Sequence, residues 1–120
     1  MVVDLSARGV TDLEWWTARH WTGGLELESL NGLEHFTVRT RNSRYEIIVL
    51  VPRTGEVLLR GGVFFPVFTR VLIAGASLGG GCLKLRAVYP GLLMEVVHEE
   101  HVIVTTAVQQ ISQIRKTTLA

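Results

Sequence analysis

The feature that most constrains this chain is a hydrophobic period of two that runs from about Leu33 to Ile114. Successive side chains of a β-strand point to opposite faces of a sheet, so this period predicts strands. Turn residues interrupt the pattern every eight to twelve positions, which is typical of a small barrel or sandwich. We therefore predict a mainly β fold of about seven or eight short antiparallel strands.

The turn signals divide the body into strand segments of unequal clarity. Pro66 predicts a break between two of them, because proline cannot donate to a strand ladder. The last segment, 108–114, is compatible with a strand or a short helix. The predicted strands are 36–40, 45–51, 56–60, 67–74, 83–88, 92–97, 101–105 and 108–114.

One segment ahead of the β body has the signature of a helix. Thr11 and Glu14 form a capping box, in which each side chain satisfies a free backbone N–H of the first turn. Gly23 and Gly24 supply the stop signal. We predict one amino-terminal α-helix over about 12–21. The 120 residues suit a single domain, with a β-rich body over 33–114 and a tail over 115–120.

Two predicted strands are apolar on both faces, at 47–51 and 71–74. One face of each strand serves the core, and the other must be covered by the helix or by another subunit. The helix is too short to cover two sheets, so we predict a homo-oligomer. A closed barrel with the helix over its mouth is the alternative.

Charge and cysteine content exclude several classes of protein. The net charge is only +1, which argues against a dedicated nucleic-acid binder. Acidic residues dominate before residue 36 and basic residues after it, so the acidic head can dock on the basic body of the same chain or of a neighbouring subunit. The single cysteine and the lack of a secretory signal predict a cytoplasmic protein. No apolar run is long enough to span a membrane, so no membrane association is predicted. No cofactor is predicted.

Ser77 lies in the string Gly-Ala-Ser-Leu-Gly at 75–79, which matches the nucleophile elbow of α/β-hydrolases. His98 and His101 follow and could serve as the general base. An elbow must open a helix, however, and here an alternating strand pattern follows. A small serine hydrolase using Ser77 is therefore the second function that we consider, and a glycine-rich turn is the simpler interpretation.

His98 and His101 flank two glutamates in the string His-Glu-Glu-His. If the glutamates form a two-residue hairpin turn, the two imidazoles face each other across the strands and can both bind a metal ion. Two ligands do not make a zinc site, which needs three or four. Polar residues at a turn are the simpler interpretation.

Three arginines, Arg39, Arg41 and Arg44, form a local basic cluster with Asn42 and Tyr45 at a predicted strand end. Arginine beside an aromatic residue suits phosphate or RNA, so the cluster is a candidate ligand site. A solvated strand end, or pairing with Glu26 and Glu28, explains the same residues. The sequence indicates no particular small ligand.

The order of turns and glycines from Leu33 to Ile114 resembles a group of short bacterial proteins whose function is not established. The resemblance implies a compact β-rich fold and brings no activity, cofactor or catalytic residue with it. The present chain has Ala76 where those chains favour glycine. The matching pieces are Thr-Arg-Asn-Ser-x-Tyr at 40–45, Gly-Gly at 61–62 ahead of an aromatic residue, Gly-x-Ser-x-Gly-Gly at 75–80, Pro-Gly at 90–91 and Thr-Thr-x-Val at 105–108.

No catalytic set in the sequence is complete, so the sequence favours a non-enzymatic binding or interaction domain that acts as a homo-oligomer. The alternatives are the hydrolase centred on Ser77 and a module that binds metal or nucleic acid.

Overall fold

The computed structural model describes Trp16, residues 21–80 and residues 82–114. Its secondary structure is mainly β, which confirms the predicted class. A single turn of 3₁₀ helix spans Leu27–Ser29. The strands are β1 (Leu25–Glu26), β2 (His35–Thr40), β3 (Arg44–Val51), β4 (Glu56–Gly61), β5 (Phe65–Ser77), β6 (Leu83–Leu85), β7 (Ala87–Val88), β8 (Leu93–His98) and β9 (His101–Ile114).

Seven of these strands form one antiparallel sheet in the order β4-β3-β2-β9-β8-β5-β6. An additional pairing of β4 with β5 links two strands that stand apart in that order. The strands β2, β3, β4, β5, β8 and β9 consequently form a continuous ring of pairings. The short strands β1 and β7 pair with each other in a separate two-stranded sheet.

Two strands are far longer than the predicted short segments. The break expected at Pro66 is wrong, because β5 continues through it. Pro66 lies where the ladder between β4 and β5 changes register, so its missing N–H removes no regular ladder bond. The segments 101–105 and 108–114 belong to one strand, β9, which settles the last segment as a strand.

The helix predicted over 12–21 lies outside the described residues except at Trp16 and Trp21. Both tryptophans pack against a small cluster formed by Ala76, Tyr89 and neighbouring buried residues. Trp21 meets the rings of Trp16 and Tyr89 edge to face, at centroid distances of 4.8 and 4.9 Å. Within the described ranges, no helix is long and apolar enough to cross a bilayer.

The core lies on the inner face of the ring and follows the predicted alternation. In β3, for example, Tyr45, Ile47 and Val49 are buried, whereas the intervening residues are more exposed. Strands β2, β4, β5, β8 and β9 contribute to the same cluster. Its fully buried members include Val38, Val49, Val57, Leu59, Ile73, Met94, Val96 and Val108.

The segment between the predicted helix and β2 closes this core. Leu27 is buried in the main cluster although it lies outside the seven-stranded sheet, and its N–H donates to the Arg86 carbonyl at 2.9 Å. Glu28 Oε1 accepts a hydrogen bond from Arg86 Nε at 2.9 Å, and Glu26 Oε1 lies 4.0 Å from Lys84 Nζ. Two residues of the acidic head, Glu26 and Glu28, therefore lie against basic residues of the body within one chain.

A charged group on the outer face of β3 links three strands. Glu46 Oε1 accepts from Arg60 Nη2 at 2.6 Å, and Glu46 Oε2 lies 3.3 Å from His35 Nε2. The Arg60 guanidinium, through this hydrogen bond, is the main cause that lowers the pKa of Glu46 below its usual value of 4.5. Folding therefore favours the ionised carboxylate.

We expect Glu46→Gln to lower the free energy of unfolding at pH 7 by less than about 1 kcal/mol, because the pair is solvent-accessible. A group with a lowered pKa contributes stability above its unfolded pKa and loses it as the pH falls. The difference between wild type and Glu46→Gln should consequently shrink as the pH drops below 4.5. Urea unfolding at several pH values measures it; a constant difference would contradict the assignment, and Arg60→Gln should mimic the loss.

Candidate interaction surface

The structure does not assemble the hydrolase site predicted around Ser77. Ser77 is the last residue of β5, its side chain is fully buried, and its Oγ accepts a hydrogen bond from the Gly79 N–H at 3.1 Å. In the register of β5 with β8, Ser77 lies opposite Leu93. His98 is five residues farther along β8, roughly 16 Å away at 3.3 Å per residue. The hydroxyl therefore stabilises a turn.

For this reason we expect Ser77→Ala to cost about 1 kcal/mol of stability, the usual net value of one intramolecular hydrogen bond. Chemical denaturation measures this loss. A fluorophosphonate probe should leave wild type unlabelled, since the hydroxyl is inaccessible. Labelling that disappears in Ser77→Ala would contradict this interpretation and restore the hydrolase.

The predicted hairpin at His98 and His101 is present. The two histidines pair directly, and the intervening Glu99 and Glu100 adopt positive φ angles of 49° and 68°. These angles are those of a type I′ turn, which we call the acidic turn. The His98 ring also packs edge to face on Phe65, at 5.5 Å between centroids. Among the described residues, no third histidine, cysteine or carboxylate joins the pair in a metal-binding group.

The predicted ligand cluster does not converge on one cavity. Tyr45 is buried in the core, with its ring beside Gly62. Arg39 lies opposite Arg44 and lines a shallow cavity of about 180 Å³. Arg41 lines a different cavity of about 260 Å³, together with residues 104–107 of β9. The glycines at 75–80 line neither cavity.

An apolar strip crosses the outer face of β5, β8 and β9. Leu72 pairs with Val97, and Val97 pairs with Val102, so three apolar side chains stand in one row. Val104 follows two residues later on the same face of β9. Leu72, Val102 and Val104 are 41%, 58% and 47% exposed, respectively. We call these four residues the apolar strip.

The strip ends at a strand edge that is free among the described residues. Strand β2 pairs with β9 only from Val108 to Ile114, so residues 101–105 of β9 have β8 on one side and no described strand on the other. We call these five residues the β9 edge. Hydrogen-bonded and non-hydrogen-bonded pairs alternate in an antiparallel ladder. His98 and His101 form the hydrogen-bonded pair next to the turn, so the backbone groups of Val102 and Val104 point away from β8.

A cleft of about 590 Å³ lies beside the strip, where β5 and the β8–β9 hairpin diverge. Leu72 and Val97 line it together with His98 and the acidic turn. An ion pair borders it, with Arg70 Nε 2.6 Å from Glu56 Oε1. The surface thus combines apolar side chains with a mainly acidic border.

A second exposed apolar feature lies at the turn between β4 and β5. Val63 and Phe64 are 91% and 69% exposed. Both residues lie in a turn, however, and not along a free strand edge. We call these two residues the β4–β5 tip.

Sequence reasoning missed Val102 and Val104. The signal was available, because residues 102–104 are three consecutive apolar residues, as in the two strands that were predicted to be apolar on both faces. The position of the edge itself depends on where β2 stops pairing with β9, and no local pattern encodes that position.

Comparison with known proteins adds no assignment to this surface. We found no match to the chain among protein-family models, curated proteins or solved structures.

Proposed function

We propose that the protein is a non-enzymatic interaction domain that acts as a homo-oligomer in the cytoplasm, with the apolar strip and the β9 edge as its contact surface. We also propose that its ring of strand pairings is a closed barrel. The resemblance to short bacterial proteins agrees with such a compact β fold and remains a prediction.

The observation that carries the proposal is the coincidence of exposed apolar side chains with a β9 edge whose backbone pairs with no described strand on the side away from β8. Natural proteins protect such edges with lysine, proline, bulges or very short strands, because a free edge invites pairing with another chain. The β9 edge, His-Val-Ile-Val-Thr, contains neither lysine nor proline. An edge of this composition is suited to association.

The enzymatic alternative has less support. Ser77 is buried and distant from both histidines, and the arginines of the predicted ligand cluster line separate cavities. Metal analysis of the purified protein and a salt-dependent gel-shift assay with RNA test the other two alternatives. Neither alternative explains the apolar strip.

Light scattering coupled to size-exclusion chromatography tests the proposal at protein concentrations from about 1 to 100 μM, which bracket ordinary micromolar affinities. We expect a discrete oligomer of at least two chains at the upper end. A monomeric mass over the whole range would overturn the proposed function.

A further inference from the structure

We propose that two copies of the chain pair antiparallel through their β9 edges, around a two-fold axis at Ile103. This inference rests on the proposed function and specifies its geometry. The pairing joins the seven-stranded sheet of one copy to that of the other.

Backbone hydrogen bonding selects this register. With the axis at Ile103, Val102 of each copy lies opposite Val104 of the other. The N–H and C=O groups of both valines already point to the free edge, so the two pairs form four hydrogen bonds across the interface. The three central residues read Val-Ile-Val in both chain directions. A two-fold interface uses the same surface of both copies, and this palindrome places a valine opposite a valine on each side of the axis.

The two neighbouring registers do not let both valines pair along the edge. An axis at Val104 places Val102 opposite Thr106, where the edge is already occupied because Thr106 Oγ1 accepts from the Asn42 N–H at 3.3 Å. An axis at Val102 places Val104 opposite Glu100, which lies in the acidic turn and not in a strand. Of these three registers, only the one with its axis at Ile103 lets the backbone groups of both valines hydrogen-bond across the interface.

Apolar side chains of the two copies also lie next to each other in this register. On the outer face, the row formed by Leu72, Val97 and Val102 continues into Val104 of the second copy. Cross-strand pairs of β-branched residues stabilise antiparallel sheets. The pairing therefore places Val102 of each copy beside Val104 of the other and shields both side chains partly from water.

Charge complementarity at the two ends supports the same register. The β2–β3 turn blocks the β9 edge at Ala107, whose carbonyl accepts from the Arg41 N–H at 3.1 Å. In the proposed register, Glu99 and Glu100 of the second copy lie level with Ala107 and Thr106. The acidic turn of each copy thus meets Arg41 of the other, at the cavity of about 260 Å³ that Arg41 lines.

The backbone of the acidic turn is strained, and the proposed pairing gives a reason for the two glutamates at these positions. Asn-Gly is the preferred type I′ sequence, and a non-glycine residue at positive φ costs on the order of 1 kcal/mol or more. Both positions here are glutamates at positive φ. In the proposed pairing, the two carboxylates attract Arg41 of the second copy, and an uncharged Asn-Gly turn would not.

The first test combines Val102→Lys with Val104→Lys. Both side chains point to solvent in one copy, so the folded monomer should tolerate lysine, as natural sheet edges do. We expect the double variant to be monomeric at 100 μM, with the circular dichroism of wild type. The matched control, Val63→Lys with Phe64→Lys, changes the equally apolar β4–β5 tip and should stay oligomeric.

The second test exchanges charges. Arg41→Glu should weaken association about tenfold, since two equivalent rim contacts are lost and replaced by repulsion. Adding Glu99→Arg and Glu100→Arg to that variant should restore the wild-type dissociation constant. Restoration supports the register, and a further weakening would overturn it.

The third test probes the axis directly. Ile103 lies opposite itself in a non-hydrogen-bonded pair, where Cα atoms are about 4.5 Å apart and a disulfide can form. In a Cys82→Ser background, Ile103→Cys should form a covalent dimer on mild oxidation, whereas the exposed Val67→Cys should not. Equal cross-linking in both variants would overturn the register.

The outcomes separate the two proposals. A monomeric wild type overturns the proposed function and the pairing together. A wild-type oligomer that persists in the double lysine variant, or that dissociates only in the β4–β5 tip variant, overturns the β9 pairing and leaves the proposed function standing.

Discussion

Replacement of Gly61 by alanine is expected to lower the free energy of unfolding by about 3 kcal/mol, combining overpacking with backbone strain. Gly61 ends β4 with φ at 136°, where an L-residue is strained. A Cβ at this position would stand 2.1 Å from the Arg44 carbonyl oxygen and 2.9 Å from Tyr45 Cα. Both contacts are to backbone, so no side-chain rotation relieves them. Urea unfolding at a fixed protein concentration measures the loss.

Gly80→Ala is the matched control. A Cβ on Gly80 would meet no atom within 4 Å, and Gly80 is not among the residues with positive φ. Its free energy of unfolding should stay within about 0.5 kcal/mol of wild type. If Gly61→Ala were as mild as Gly80→Ala, the close approach of β3 to β4 at Gly61 would be wrong.

Leu27→Ala is expected to destabilise the fold by about 3 kcal/mol, within the usual range for burying alanine in place of leucine. Leu27 is 1% exposed and belongs to the main core, although it lies in the 3₁₀ turn and not in the ring of strands. The truncation leaves a cavity that the flanking strands cannot close without breaking their ladders. Thermal or urea unfolding measures the effect.

Leu85→Ala provides the comparison, because it removes the same atoms from a residue that is 58% exposed. We expect less than about 1 kcal/mol for this variant. Equal costs for the two substitutions would show that the segment before β2 does not close the core.

The sequence-based prediction of the fold succeeded where the signals are local. The alternation in β2, with Phe36 and Val38 buried and Arg39 exposed, is visible in the sequence and present in the structure. The turn predicted between strands 92–97 and 101–105 is also present, at Glu99 and Glu100.

The prediction failed where distant contacts decide the structure. Proline signals a break, yet Pro66 sits in a ladder irregularity that β4 creates opposite it. Leu27 lies in a stretch without a period, and its burial depends on contacts with strands far along the chain.

The candidate sites show the same contrast between local sequence signals and contacts between distant residues. The string around Ser77 resembles a nucleophile elbow by spacing alone, and only the register with β8 reveals its distance from His98. Arg39 and Arg41 are neighbours in sequence, yet they line different cavities because the chain leaves β2 between them.

The pairing of β2 with β9 also has a consequence for the order of folding. Every other pairing in the ring joins strands closer along the chain, whereas this one joins residues as distant as His35 and Ile114, 79 positions apart. The entropy of closing so long a loop is recovered only after the intervening hairpins exist. We therefore expect the ring to close last at β2 and β9, and a nascent chain to complete its core only after β9 has left the ribosome.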